Sequence, residues 1–446
     1  MVTSIGGLSS GIDTTSLINS LIQAESAPQT ALKTKVSDYT TSNSAYQTVN
    51  GKMKALLTAS QDLTKADSWK AAKATSTSTD VAATASTGAQ TGDMTFSVTK
   101  LANAHRLTAA FAATDTPAVT DGSSFDLTVG TGPDATTTTL SLDDDANTPQ
   151  GVANAINKAN LGVRASVVTT DSGPVLQIAS GKTGAANTFT LSGLTTDPKV
   201  MTAGSDAELT VGDPSAGGFK VSSPGNTFTG VMPGVTITAN KLANNVTVGV
   251  NNDTEAIAAK MQALVDAANG SLAQISLSSA AGVSSSSGAK PTGGPLSGDY
   301  TVRQLSSQML SSVSNGKGGF GSFKQLGVQL TQDGKLQFNK DDFLKAYAED
   351  PAKVQDAVSN GLAKSLESVS TAATDSVSGT LTQKIQSGTT MISRLNKEIS
   401  DWDLKLADRR SALQRQFASM ESALSKISSQ SNWLSSQTAA SNSNGS

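Results

Sequence analysis

The sequence has no cysteine and only one histidine, His105, among its 446 residues. Without thiols the chain has no disulfide framework, zinc–thiolate site, iron–sulfur cluster or cysteine nucleophile. A single imidazole also excludes a multi-histidine metal site and leaves little choice of general base near neutral pH. We therefore expect no bound metal or cofactor, and we expect that the protein is not an enzyme.

Charged and aromatic residues are also scarce, at 15% and 4% of the chain. The 33 Lys and Arg nearly balance the 36 Asp and Glu, which gives a formal net charge of −3. A nucleic-acid-binding protein would show a basic stripe and aromatic stacking platforms, so no nucleic-acid partner is expected. No run approaches the ~18 consecutive apolar residues that cross a bilayer, and the first residues do not resemble a cleaved signal peptide. We expect no membrane insertion.

Three motifs that suggest chemistry do not meet the spacing that the chemistry requires. Residues 181–183 (GKT) end like a phosphate-binding loop, but the glycine five residues earlier is missing, so we expect a turn between strands. Asp143, Asp145 and Asn147 begin like a calcium loop that lacks the glutamate at its twelfth position. His105 has no serine or aspartate at a spacing that suggests a catalytic triad, and we expect a turn or surface histidine.

Small hydroxyl residues are abundant, since 62 Ser and 54 Thr make up about a quarter of the chain. In the middle of the chain they alternate with apolar residues between Gly, Pro, Asn and Asp, which predicts β-strands. The predicted strands are 94–101, 125–129, 163–168, 175–178, 208–211, 235–238 and 246–250. Thr148 and Pro149 are typical of a helix start, which predicts one short helix within this region. A longer helix is predicted over 255–275.

Both ends of the chain have helical periodicity. Asp13 is a good N-cap for a helix that ends near Pro28, and a second pattern runs from Leu32 to Leu63. Near the other end, apolar residues recur at alternating steps of four and three, with lapses only at Gly388 and Arg409. This heptad seam consists of Leu381, Ile385, Ile392, Leu395, Ile399, Trp402, Leu406 and Leu413.

The heptad seam predicts one long helix that packs on a partner helix as a coiled coil. The helix over Leu32–Leu63 is the natural partner within the chain. A second set of apolar residues has no evident partner in a solitary chain and is predicted to contact other subunits. This set comprises Ile12, Leu17, Leu21, Leu424, Ile427 and Leu434.

Several motifs together resemble the flagellar filament cap family, also called the hook-associated protein 2 family. The first is GLSSGID at 7–13, which precedes the predicted N-terminal helix. The others occur in the family's order and include FSVTKLA (96–102), GVANAIN (151–157), VRASVV (163–168), SDAELTV (205–211), GVMPGVTIT (230–238), NDTEAI (252–257) and DGKL (333–336). The Ser/Gly-rich stretch 276–298 has no counterpart that we can assign.

The resemblance implies an α+β fold, with a helical, coiled-coil leg formed by both chain termini and two inserted β-rich head domains. It also implies the following organisation. Residues 1–31 form a mobile segment, and residues 32–74 form the leg helices of the N-terminal half. Residues 75–118 and 205–275 together form head domain 2, and residues 119–204 form an inserted outer head domain 3 with a flagellin-type repeat. Residues 276–298 form a linker, residues 299–380 form leg domain 1, and residues 381–446 form the C-terminal coiled-coil helix with a mobile tail.

The resemblance further implies a structural protein at the distal tip of the bacterial flagellum, outside the cell, exported by the flagellar type III system. Such caps assemble as a ring of their own copies, with five expected on the filament, and help exported flagellin fold and insert. The implied partners are the protein itself, flagellin, the hook–filament junction protein and a flagellar export chaperone. Two alternatives remain: a flagellin or junction component, and a surface adhesin acting through the exposed head.

Overall fold

The structure is a computed structural model that describes residues 11, 13–112, 118–143, 146–282, 293–314 and 322–443. The chain forms two compact units. Residues 1–64 and 258–446 form the first, which we call the helical unit, and residues 65–257 form the second, the β unit. Both ends of the chain therefore belong to one unit, and the β unit is inserted between them in sequence. The predicted α+β class, with helical ends and a β-rich middle, is confirmed.

The helices are numbered along the chain, and all except α3 belong wholly or largely to the helical unit. They are α1 (Thr14–Glu25), α2 (Ala27–Thr64), α3 (Pro149–Ala159), α4 (Thr254–Ser279), α5 (Tyr300–Ser314), α6 (Lys340–Glu349), α7 (Pro351–Asp356), α8 (Lys364–Thr374) and α9 (Thr380–Ser443). A buried π-helical segment, Ala357–Ala363, joins α7 to α8.

The strands lie in the β unit, apart from one hairpin of the helical unit. In the β unit they are β1 (Ala72–Ser76), β2 (Val81–Ala85), β3 (Gly92–Lys100), β4 (Ala104–Ala110), β5 (Ser124–Val129), β6 (Thr136–Ser141), β7 (Val163–Thr170), β8 (Gly173–Thr183), β9 (Phe189–Ser192), β10 (Lys199–Thr202), β11 (Ala207–Val211), β12 (Phe219–Ser223), β13 (Thr227–Thr229), β14 (Val235–Ala239) and β15 (Ala243–Asn252). The hairpin pairs β16 (Val328–Leu330) with β17 (Leu336–Phe338).

The first core of the β unit lies between two antiparallel sheets. One has the order β1-β15-β3-β11-β12 and the other β13-β14-β2. Alternate side chains of these strands point inward, so that Phe96, Leu209, Phe228, Ile237 and Val248 are buried together. The alternation in the sequence therefore predicted the buried face correctly for β3, β11, β14 and β15.

The second core of the β unit contains helix α3 and two further sheets. Their orders are β10-β4-β8-β7 and β6-β5-β9. Thr148 Oγ1 accepts the amide of Gly151 at 3.1 Å and Pro149 is the first helical residue, as the sequence predicted. Helix α3 buries Val152 and Ile156 against the strands. This core is built around Leu107, Phe125, Leu127, Leu176, Ile178 and Phe189.

The domain boundaries in the structure differ from those drawn on the sequence. Strand β4 belongs to the second core, so that core begins near Ala104 rather than at residue 119. The helical unit resumes at Ala258, well before residue 275. Strands β1, β2, β4, β6, β9, β10, β12 and β13 were missed. Strands β1, β2 and β6 are Ala- and Thr-rich and carry little hydrophobic alternation, and β9, β10 and β13 are only three or four residues long. Tertiary pairing, rather than local pattern, makes them strands.

The predicted linker 276–298 is only partly a linker. Helix α4 continues to Ser279, and residues 294–296 pack back on the end of this helix. Gly294 donates its amide to the Ala280 carbonyl at 3.0 Å, and Leu296 donates to Ser278 at 2.8 Å. Leu296 is also buried. Residues 283–292 lie outside the described part of the chain.

Residues of two of the three rejected motifs have structural roles. Asp145 of the calcium-like motif lies outside the described residues. Residues 181–183 form the end of β8, and the turn expected there follows at Gly184, where φ is +112°. Asn147 Oδ1 accepts the amides of Val119 and Thr120, each at 3.0 Å, and Asn147 Nδ2 donates to the Thr120 carbonyl at 2.9 Å. Asn147 therefore ties the chain before β5 to the start of α3.

We expect Asn147→Ala to destabilise the β unit by about 2–4 kcal/mol, because it leaves buried backbone groups without hydrogen-bond partners. Asn154→Ala is the matched control, since exposed Asn154 accepts only one hydrogen bond, from Gln150 on the same helix. Urea unfolding of both variants measures the difference. Equal stabilities for the two variants would contradict this role of Asn147.

Candidate assembly surface

Helices α2 and α9 pack side by side in antiparallel orientation. Two polar pairs fix their register. Gln29 Nε2 donates to Asp403 Oδ1 at 2.6 Å, and Asn43 Nδ2 donates to Thr389 Oγ1 at 3.2 Å. Buried polar residues at a helix interface commonly specify register in this way, because a shift of one turn would leave them unpaired.

The lapse of the heptad seam at Gly388 has a packing reason. A Cβ atom at this position would lie 2.8 Å from Asn43 Oδ1 and 3.1 Å from its Cγ. Asn43 is itself buried, at 8% exposure, so its side chain has little room to move aside. Glycine at position 388 therefore lets α2 and α9 approach closely at the point where Asn43 crosses the interface.

The lapse at Arg409 is explained by helix α1, which packs on α9. Arg409 Nε lies 3.0 Å from Glu25 Oε1, in a half-exposed ion pair. On the apolar side of the same contact, Ile18 and Ile22 are buried against Leu413. Arg409 therefore binds the end of α1, and Leu413, one turn later, covers the apolar face of α1.

This contact changes the interpretation of residues 1–31. The heptad seam predicted one partner helix for α9, but residues 14–25 form α1 and pack on α9 as a second one. Asp13 caps α1 as predicted, since its Oδ1 accepts the Ser16 amide at 2.9 Å. The boundary predicted at residue 31 lies inside α2, which begins at Ala27. Mobility of this segment in solution stays a prediction.

The turn before α5 is fastened to both long helices. The Tyr46 hydroxyl donates to Asp299 Oδ2 at 2.5 Å, and Lys384 Nζ lies 3.6 Å from the same oxygen. Burial alone would raise the pKa of Asp299, but the bonds donated by Tyr46 and by the Val302 amide, together with the Lys384 charge, hold it below its usual value. Burial and the Asp299 carboxylate raise the pKa of Tyr46. The pair therefore stays ionised on Asp299 and protonated on Tyr46 at neutral pH.

The C-terminal end of α2 is held by the π-helical segment. Ser359 Oγ, in a buried position, donates to the Leu63 carbonyl at 2.8 Å. The last carbonyls of a helix have no intrahelical partner, so this bond satisfies one of them.

The residues of the predicted heptad seam lie on the less exposed side of α9. Leu381, Leu395 and Leu413 are buried, while Ile385, Ile392, Ile399, Trp402 and Leu406 are half-buried.

The predicted contact residues are placed differently. Leu17 and Leu21 are about 40% exposed on the outer side of α1, and Ile427 and Leu434 are about 60% exposed. Leu424 is half-buried, and Ile12 lies outside the described residues. Trp433, which sequence reasoning did not select, is 62% exposed beside Leu434. Leu404 and Met420 are also exposed on α9, so seven large apolar side chains on the described parts of α1 and α9 are accessible to a partner.

The described residues contain no group of three or more His, Cys, Asp or Glu side chains that could hold a metal ion. Within the same residues, no helix is long and apolar enough to span a membrane. The prediction that His105 is a turn or surface residue is wrong, because it lies in β4 and is only 4% exposed. The terminal helices pair with each other, carry exposed apolar side chains and enclose the β unit in sequence. This combination is typical of structural proteins that assemble with other subunits.

Sequence and structure comparisons agree on a family within that class. The profile "Flagellar hook-associated protein 2 N-terminus" matches residues 10–105, and "Flagellar hook-associated protein 2 C-terminus" matches residues 204–429. Flagellar hook-associated protein 2 of Escherichia coli K12 is 27% identical over 97% of each chain, and the B-type protein of Pseudomonas aeruginosa is 26% identical over 95% of this chain and 94% of its own. The crystal structure of the D1-D2-D3 domains of the flagellar cap protein FliD from E. coli covers 77% of this chain and 99% of its own, at 26% identity and a TM-score of 0.59.

The chain belongs to the flagellar hook-associated protein 2 family, the flagellar cap proteins. The resemblance read from the sequence motifs is thereby confirmed. The middle of the chain, which includes the second core, lies between the segments matched by the two profiles.

We expect Gly388→Ala to destabilise the helical unit by about 1–3 kcal/mol, because the new methyl group overpacks against Asn43. Gly51→Ala is the control, since Gly51 is exposed on α2 with nothing near its missing Cβ. This control should be neutral or stabilise by up to about 1 kcal/mol through helix propensity. Thermal unfolding measures both, and Asn43→Ala should relieve the Gly388→Ala penalty. Equal effects of the two glycine substitutions would rule out the close approach.

Proposed function

We propose that the protein caps the distal end of a bacterial flagellar filament, outside the cell, and that its copies form a closed ring there. In this role it promotes the folding and insertion of exported flagellin, which filament elongation and motility require. Family membership supports the proposal, because the solved relative that covers 77% of this chain is named a flagellar cap protein. The observation that carries it is the set of exposed apolar side chains on α1 and α9.

These side chains can form a strong contact that is made of several separate apolar contributions. Burying a leucine or isoleucine in a neighbouring subunit contributes about 1.5–3 kcal/mol. Ile427 and Leu434 are one heptad apart, so they lie on one side of α9 and fit the apolar face of another helix. Because the contact consists of separate side chains along a helix, it can be released and formed again as each new flagellin subunit is added.

A ring follows from the need to close on a tubular filament. Head-to-tail contacts between copies produce a closed ring only when the rotation per subunit divides a full circle. We propose five copies on the filament, with flagellin and the hook–filament junction protein as neighbours and a flagellar export chaperone as a partner before secretion. Export through the flagellar type III system would deliver the chain to the tip.

Electron microscopy of the purified protein should show small closed rings. A flagellin or junction component, the alternative assembly role, would instead form long filaments on its own. Imaging of labelled protein on native filaments checks the location, and label only at the distal tips supports the cap. A protein that stays monomeric at high concentration and is absent from filament tips would refute the proposal.

The double variant Leu424→Ser/Ile427→Ser should lose several kcal/mol of attachment at the filament tip. Cells that carry it should release monomeric flagellin into the medium and make short filaments or none. The measurement is the ratio of soluble to filamentous flagellin. The matched control is Val200→Ser/Met201→Ser, which removes two exposed apolar side chains from β10 in the β unit, each more than 60% exposed.

The same region of α9 is a candidate binding site for the export chaperone, so secretion of the variant cap must be measured in parallel. Normal secretion together with flagellin release supports the attachment role. Full-length filaments at normal secretion would show that Leu424 and Ile427 do not form the gripping surface. Flagellin release by the control variant as well would assign the function to the β unit instead.

A further inference from the structure

The two cores of the β unit are joined by two passages of the chain that lie side by side. The chain enters the second core through residues 102–104 and returns to the first through residues 203–206. Asn103 and Ser205 exchange backbone hydrogen bonds between these passages, at 2.9 and 3.1 Å. We call these two passages the joint.

Further hydrogen bonds attach the joint to each core. On the side of the second core, Gly184 donates its amide to the Asn103 carbonyl at 3.2 Å, and Ala185 donates to Asp206 Oδ1 at 2.7 Å. On the side of the first core, Asn226 Oδ1 accepts the Ala102 amide at 2.7 Å. The joint is therefore a small polar network between two apolar cores.

His105, the only histidine of the chain, lies directly at this joint. Its ring packs against Phe189 of the second core, with a centroid distance of 4.9 Å. A Cβ atom at Gly204, in the returning passage, would come within 3.3 Å of the His105 Cβ. The His105 side chain therefore packs on the second core through its ring and lies against the returning passage through its Cβ.

The imidazole has no polar partner in this position. Both ring nitrogens are buried, and neither makes a hydrogen bond with any of the described residues. Such a site suits a neutral ring held by packing, but an imidazolium needs acceptors for two N–H groups. Taking up a proton there leaves a charge and two donors unsatisfied inside the protein.

The charged groups on the elements around His105 do not compensate for a proton. Arg106 on β4, Lys182 on β8 and Lys199 on β10 are exposed and carry the same sign as an imidazolium. Asp206 is the nearby carboxylate, and its Oδ1 already accepts the Ala185 amide. Burial accordingly lowers the pKa of His105 from its ordinary value.

We propose that His105 is an acid-sensitive latch of the joint: when its imidazole takes up a proton, the two passages separate and water reaches the ring. The bond pair between Asn103 and Ser205 is then lost, while both cores keep their buried strands. The second core thereby gains freedom of movement relative to the first under acid conditions. This inference does not depend on the proposed role at the filament tip.

The sign of the pH dependence follows from proton binding. The open joint, with a solvated imidazole, protonates near the ordinary pKa of about 6.5, and the closed joint protonates only at lower pH. Stability of the closed joint is therefore complete well above about pH 6.5 and is lost as the pH falls below it. At about pH 5 the opening equilibrium can shift by up to about 30-fold.

The test begins with the full-length protein and its single histidine. Because there is only one imidazole, its ring protons can be followed by NMR without assignment of the rest of the chain. The expected titration midpoint lies below about 6.5. A midpoint at or above that value would mean that the buried ring tolerates its charge, and the latch would be refuted.

Amide hydrogen exchange locates the opening. After correction for the intrinsic effect of pH, residues 102–104 and 203–206 should exchange several-fold faster at about pH 5 than at about pH 7.5. Strands β3 and β8 serve as internal references for the two cores and should stay protected. Unchanged protection at the joint, or loss of protection throughout the second core, would overturn the proposal.

The matched variant is His105→Phe, which keeps an aromatic ring but cannot take up a proton. The joint of this variant should exchange equally fast at both pH values, whereas the wild-type joint should not. His105→Gln provides a second uncharged side chain in case phenylalanine perturbs the packing. Acid-induced opening that persists in both variants would assign the effect to other groups and refute the role of His105.

Discussion

The antiparallel packing of α2 on α9 is the contact on which the helical unit depends. It joins residues as far apart in sequence as Asn43 and Thr389, with the β unit inserted between them. The entropic cost of closing such a long loop grows only slowly with its length, so a folded insert is tolerated. Apolar burial supplies most of the attraction, while Asn43, Gln29 and Gly388 determine which turn of one helix meets which turn of the other.

In helix α1, some large apolar residues pack within the chain and others are available for contacts with a partner. Ile18 and Ile22 are buried within the chain, whereas Leu17 and Leu21, one residue earlier in each case, remain exposed. A short helix that buries so few side chains belongs to the less stable part of a fold. This arrangement suits the change of partners that the proposed assembly role requires.

The abundance of threonine in the β unit has a structural reason. Outward-facing threonines pair across neighbouring strands, as Thr95 does with Thr247 at 2.7 Å and Thr128 with Thr137 at 2.8 Å. Such pairs stabilise a sheet modestly and leave no large apolar side chain on its outer face. Small polar faces therefore cover two apolar cores without the charged residues that are common on protein surfaces, which agrees with the low charge content of the chain.

Much of the architecture could be predicted from the sequence, because it depends on local periodicity. Helices α1, α2, α3 and α9, the inward faces of β3, β11 and β14, and the cap at Asp13 follow from the spacing of residues close to one another. The family, too, follows from short motifs in a fixed order. What the sequence determined by itself is therefore which strongly periodic segments are helices or strands and which of their faces are apolar.

The remaining features depend on residues that are distant in sequence. Arg409 and Gly388 read as lapses in a heptad until Glu25 and Asn43 are placed beside them. His105 reads as a surface residue until β8, Phe189 and the passage through Gly204 enclose it. Burial and electrostatics are properties of the surroundings, and no local pattern encodes surroundings assembled from segments that are tens to hundreds of residues apart. Only the tertiary structure could decide them.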